Sequence, residues 1–245
     1  LILNHHSFKE YPHMGFFGGS GSGKTFGIRV MCEELMKKKI PGVVFDPHFE
    51  LSFDKPMPGL GKRGKIYSTR HEVFQIGKDV GINFGELQTE ELISLLEFVS
   101  NLTQPMVGAL QELHKRNDSF TTLFNRINNL RIAFENYEKP KREQDKLPES
   151  IVLLFKTYKN KIAGASTLQA LCWRLDQLIK TGIFNKDISA IEGCIMRRKM
   201  AVLRGKQKHL KMLASYLLNK LYKKRRAYKD WEQAGGRYEP DKFPP

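Results

Sequence analysis

Gly18, Gly23, Lys24 and Thr25 are spaced G-x-x-x-x-G-K-[ST], with Gly19, Ser20, Gly21 and Ser22 filling the loop between the two outer glycines. A backbone this rich in glycine wraps around phosphate groups so that successive N–H groups point inward. A helix starting at the end of such a loop adds the positive pole of its dipole. Lys24 is then placed to reach the β- and γ-phosphates, and the Thr25 hydroxyl to ligate Mg²⁺. The alternative, a glycine-rich turn before an ordinary helix, does not account for the Lys-Thr pair or the flanking elements. We therefore read residues 18–25 as a nucleotide-binding loop. ATPases, GTPases and small-molecule kinases share this cradle. The chain has no Asn-Lys-x-Asp tetrapeptide with which to read guanine, so ATP is the expected nucleotide.

A second constellation follows at Asp46-Pro47-His48-Phe49-Glu50. Asp46 and Glu50 fall at the C-terminal end of a predicted strand beside the loop, where ligands gather in open α/β sheets. There they would hold Mg²⁺ through water or orient an attacking water. The bland alternative is strand-end capping. On the functional reading Lys24, Asp46 and Glu50 are catalytic, and Thr25 and Asp46 are the metal ligands.

The elements that position these groups follow from the pattern around them. His13 to Phe17 is a short apolar run with strand character leading into the loop, and Ile28, Met31, Cys32, Leu35 and Met36 recur at helical spacing until Pro41-Gly42. Val43 to Phe45 reads as a buried strand. Further strands are expected at Lys65 to Ser68, Gly81 to Phe84 and Lys199 to Leu203, giving a mostly parallel sheet. Between Thr89 and Ile179 the spacing predicts helices at 92–99, 105–116, 120–134 and 166–179. Residues 136–149 are charged and poor in apolar side chains, as in an exposed linker. The expected organisation is an α/β, P-loop, RecA-like core in residues 1–88, a helical insertion in 89–195, and a return to the core in 196–245.

Forty-one Lys and Arg against 26 Asp and Glu leave a net charge of +15, which directs the surface toward polyanions. The excess is concentrated: residues 197–229 hold thirteen Lys or Arg and no Asp or Glu. Leu210, Leu213, Ala214, Leu217, Leu218 and Leu221 form an apolar stripe in a long predicted helix, Lys206 to Lys229. Its basic side chains are expected to project toward a phosphate backbone or an acidic partner. The Gly59 to Lys65 loop is also basic and lacks the spacing of a second phosphate loop. Cys32, Cys172 and Cys194 are too far apart for a metal site and read as reduced thiols, which with the absence of an apolar run long enough for a membrane span predicts a cytoplasmic protein. The chain starts at Leu1 without an initiator Met and stops at Phe243-Pro244-Pro245, so a piece of a longer protein is expected.

Val43-Val44-Phe45-Asp46-Pro47-His48-Phe49-Glu50 resembles the D-P-H-G-E element that follows the Walker A motif in HerA-type ATPases of the HerA/FtsK superfamily, with Phe49 in place of glycine. Gly81 to Leu87 and Met200 to Gly205 are similar to later segments of that family. The resemblance implies a ring-forming, hexameric, RecA-like motor that hydrolyses ATP with Mg²⁺ and moves double-stranded DNA. It also implies a nuclease of the NurA type or another effector as partner, in DNA processing or antiviral (phage) defence, with no membrane. No apolar strand ends in the Asp-Glu of a Walker B motif: Ile151 to Phe155 runs into Lys156, and Met200 to Leu203 runs into Arg204. Two alternatives stay open: a small-molecule P-loop kinase, which would use the same cradle with Asp46 on the acceptor hydroxyl, and a non-catalytic nucleotide-binding scaffold, which the missing Walker B allows.

Overall fold

A helix beginning immediately after a run of glycines needs another element to bury its apolar face. The computed structural model, which describes residues 17, 19–56 and 66–233, supplies it with a small sheet. Of the expected strand at 13–17 only Phe17 is described. Gly18, the 59–65 loop and residues beyond 233 also lie outside the described residues.

The chain divides into two units, one comprising residues 1–74 with 191–204 and the other 75–190 with 205–245. In the first, helix α1 (Lys24–Lys37) lays Cys32 and Met36 against Leu51, Phe53, Met200 and Val202. Strand β1 (Gly42–Phe45) pairs in parallel with β3 (Met200–Arg204), in the register Gly42↔Met200 to Phe45↔Leu203. Strand β2 (His71–Gln75) lies on the far side of β3, giving the order β1-β3-β2 in an open, all-parallel sheet. This is the α/β, P-loop, RecA-like architecture expected from the sequence. Met200, Ala201, Val202 and Leu203 are all buried, as a central parallel strand covered on both faces requires.

Two strands differ from the sequence reading. Ile66 to Ser68 are not in a strand, and the strand that follows β1 instead starts at His71, in H-E-V-F-Q. That segment looks too polar for a sheet, but His71 is buried edge-on to Phe53, and Glu72 is paired with Arg197 and Lys199. Gly81 to Asn83 carry no ladder either, and Phe84–Glu86 is a 3₁₀ turn. The Gly81 and Ile82 amides are satisfied locally, by the carbonyls of Asp187 and Ile183 at 2.8 Å each.

The second unit is helical. Helices α2 (Thr89–Glu97), α3 (Gln104–Leu113), α4 (Phe120–Glu138), α5 (Glu149–Tyr158) and α6 (Ala165–Ile179) pack around Leu110, Leu123, Ile127, Leu130, Leu168, Leu171 and Leu175. Ser119 caps α4 by accepting the Thr122 amide at 3.1 Å. The apolar run Ile151 to Phe155 thus lies in a helix. The charged stretch after α4 is exposed yet tied down, because buried Asn136 exchanges hydrogen bonds with the Asp145 backbone at 3.0 and 2.8 Å. Helix α7 (Ser189–Met196), which the sequence reading did not anticipate, leads back to β3, and α8 (Gln207–Gln233) follows it. Among the described residues no helix is long and apolar enough to cross a membrane.

Candidate functional site

The loop ahead of α1 is built from residues that can take up left-handed backbone. Gly21 has φ +77° and Gly23 φ +82°, and a Cβ at Gly19, Gly21 or Gly23 would meet nothing within 4 Å. Gly21 and Gly23 are thus required by backbone conformation, and all three leave open space beside the chain. Gly23 occupies the N-cap of α1 with no side-chain cap, and no acidic residue lies in the first turn. The opening N–H groups of the helix therefore have no side-chain acceptor from the cap, and no carboxylate of the first turn opposes an anion there. Lys24 folds along the loop, its Nζ donating to the Gly19 carbonyl at 2.5 Å. Buried Arg29 anchors the helix from below, pairing with Glu33 at 2.9 Å and donating to the Lys55 carbonyl at 2.6 Å. Nothing in the sequence marked Arg29 as more than another surface cation.

Asp46 and Glu50 are placed differently from one another. Asp46 is only 3% exposed. One of its oxygens accepts the Glu50 amide at 3.1 Å, and the other accepts the Leu51 amide at 3.2 Å and the Arg204 guanidinium at 3.2 Å. Glu50 is exposed, and its carboxylate accepts the Thr25 hydroxyl at 3.0 Å. The carboxylate brought to the phosphate loop is thus that of Glu50, while Asp46 organises the turn that carries it. His48 is exposed.

A hydroxyl and a carboxylate oxygen side by side suit a hard cation such as Mg²⁺, which usually takes one or two protein oxygens and completes its shell with water and substrate phosphates. The described residues hold no group of three or more His, Cys, Asp or Glu arranged for a metal, and that mode of binding needs none.

A family model described as the central domain of the helicase HerA matches residues 11–226. The chain belongs to the HerA central-domain family. It is therefore an ATPase of the HerA/FtsK kind. No curated protein and no solved structure matches the chain.

The basic segment of this HerA-family chain is more neutralised than its sequence suggests. Arg197 and Lys199 pair with Glu72, Arg204 with Asp46, Lys220 with Glu86 at 2.7 Å, and Lys223 with Glu91 at 2.6 Å. Hydrogen bonds from Lys199 and Lys220 hold the Glu72 and Glu86 carboxyls below their usual range. The expected apolar stripe is also corrected: Leu210, Leu213 and Tyr216 are buried, but Leu218 and Leu221 are 65% and 61% exposed. The inner face of α8 continues through Tyr216, Lys220 and Lys223 onto glutamates. A count of apolar residues at helical spacing cannot detect that exchange of leucine for ion pairs.

Proposed function

We propose that this chain is the ATP-hydrolysing part of a hexameric motor that translocates double-stranded DNA and works with a NurA-type nuclease or another effector subunit, in DNA processing or antiviral defence. The observation that carries the ATP reading is the uncapped start of α1 behind the glycine loop, with Glu50 set against Thr25. In this reading the loop amides and Lys24 bind the β- and γ-phosphates, and Thr25 with Glu50 holds Mg²⁺. The metal, when bound, neutralises charge on the phosphate oxygens. Glu50 orients water at the γ-phosphate, and Asp46 fixes the turn on which Glu50 sits. The DNA reading is supported by the net charge of +15 and by exposed Lys206, Lys208 and Lys211 at the start of α8. We place the protein in the cytoplasm.

The kinase reading needs the Asp46 carboxylate for an acceptor hydroxyl, and both its oxygens are already engaged. Turnover of ATP with and without duplex DNA, in wild type and Lys24→Ala, tests the proposal. DNA-stimulated hydrolysis that Lys24→Ala abolishes is the expected outcome, since the substitution removes the side-chain cation from the phosphates. Hydrolysis that ignores DNA counts against a translocase. Nucleotide binding with no hydrolysis points to the scaffold.

A further inference from the structure

Glu50 stands on a turn whose shape is locally unfavourable. Phe49 has φ +59°, a left-handed conformation that disfavours a side chain, and it occupies the position where the D-P-H-G-E element has glycine. The turn therefore needs support from elsewhere, and the support converges on Arg204.

Arg204 is the last residue of β3, and β3 is locked to β1 by the pairing of Phe45 with Leu203 and by the Asp46 amide donating to the Leu203 carbonyl at 2.9 Å. From that position its Nε donates to Asp46 at 3.2 Å and one Nη donates to the Leu51 carbonyl at 2.7 Å. The guanidinium also lies 5.6 Å from the centre of the Phe49 ring. One side chain thus touches the first residue of the turn, its strained residue and its last. Asp46 completes the clamp by accepting the Glu50 and Leu51 amides. Lysine could not reproduce the arrangement, because a point charge has no planar fork to span Asp46 and Leu51 and stacks less well on a ring.

We infer that Arg204 is a positioning residue that acts through Asp46 and Phe49 to hold the Glu50 carboxylate against Thr25. The inference rests on the ATP-site reading above. It gives a role to the arginine that ends β3, the strand that on sequence alone looked only like one lacking the acidic pair of a Walker B motif.

The test compares Arg204→Gln, Arg204→Lys, Glu50→Gln and the double variant Arg204→Gln/Glu50→Gln in the full chain. ATP affinity in a chelator should change less than about twofold in Arg204→Gln, while turnover falls about tenfold or more, as expected when a reacting group is misplaced rather than removed. If Arg204 acts through Glu50, the double variant is no slower than Glu50→Gln alone. Amide hydrogen exchange at Glu50 and Leu51 should accelerate in Arg204→Gln, a readout independent of turnover. Losses that multiply in the double variant, or unchanged exchange at both amides, overturn the inference. Should Arg204→Gln fail to fold, Arg204→Lys carries the same comparisons, and wild-type turnover in Arg204→Lys overturns it as well. A wild-type chain that neither binds nor hydrolyses ATP removes the ATP-site reading instead, and the exchange measurement still decides whether Arg204 holds the turn.

Discussion

Thr25 donates its hydroxyl proton to Glu50 at 3.0 Å, joining the end of the phosphate loop to a turn 25 residues further along the chain. If this oxygen pair is the metal's protein ligation, Thr25→Val keeps the side-chain shape and removes one donor atom. Mg²⁺ should then add little to ATP affinity in the variant, while affinity in a chelator stays close to wild type. Stability should shift by no more than about 0.5 kcal/mol, because the pair is exposed. Nucleotide titrations with and without Mg²⁺ check this, and a full Mg²⁺-dependent gain in Thr25→Val excludes the pair as the metal site.

The basic residues of α8 and of Lys206 just before it divide into two sets with different expected behaviour. Lys206, Lys208 and Lys211 are exposed. Changing all three to Gln should flatten the slope of log DNA affinity against log salt by about 0.9 for each phosphate that is no longer neutralised. Affinity should fall equally for all DNA sequences, because backbone phosphates carry no base information. Lys223→Gln should instead lower stability by about 1–2 kcal/mol, since the Glu91 partner it leaves is only 8% exposed. Chemical denaturation and salt-dependent DNA titration separate the two sets. An unchanged salt slope in the triple variant moves the DNA-binding surface elsewhere.

Acid should weaken the helical unit in the range where histidine titrates. His114 is buried, with Nδ1 3.0 Å from the Thr89 hydroxyl, and burial pushes its pKa down from the ordinary value of 6.5, with Arg126 adding to the fall and Asp118 opposing it. His209 is lowered in the same direction by burial and by Lys206 and Lys208. Each histidine therefore binds a proton less readily folded than unfolded. Its contribution to stability is complete above about pH 6.5 and is lost as the pH falls through the lowered folded value. Denaturation midpoints measured on either side of about pH 6.5 should show the decline, and His114→Asn should make it shallower. A decline of undiminished steepness in that variant would assign it to other groups.

The glycine loop, α1 and β1 were legible because each is written locally, as glycines at fixed offsets, an apolar run of helical period and a short apolar strand. The acidic pair after β1 was legible too, but which of its carboxylates meets Thr25 was not, since the sequence pointed to Asp46 and the contact is made by Glu50. Strand β2 was missed because its polar residues are satisfied by distant partners, as Glu72 is by Arg197 and Lys199, 125 and 127 positions away. The burial of Asp46 was hidden for a similar reason, since Arg204 is 158 residues distant. Phe49 in a left-handed turn was signalled only as a departure from glycine, and its compensation needed the tertiary structure. Leu218 and Leu221 were misplaced because period alone cannot say where a helix outruns its core.

Among the described glycines, Gly81 is the one at which an added methyl group should do most damage. A Cβ built there would lie 2.3 Å from the Ile183 carbonyl oxygen and 2.6 Å from that of Lys186. Both are backbone atoms and cannot rotate away. Gly81→Ala should cost about 2–4 kcal/mol, as severe packing or strain mutations do. Thermal unfolding measures it, and a destabilisation under about 1 kcal/mol would mean the two segments separate easily.

That close approach also bears on how such a protein could change over evolutionary time. The Gly81 and Ile82 amides bond to the carbonyls of Asp187 and Ile183, so the residues between them leave and rejoin the chain at one seam. A segment whose two ends lie side by side can be lengthened, shortened or replaced by another of different sequence without stretching the chain on either side. The helices between Asn83 and Gly182 thus have the anatomy of an exchangeable cassette, provided that a replacement keeps the Glu86 and Glu91 contacts with α8. Sequence change could accumulate there while the glycine loop, Glu50 and its turn stay unaltered.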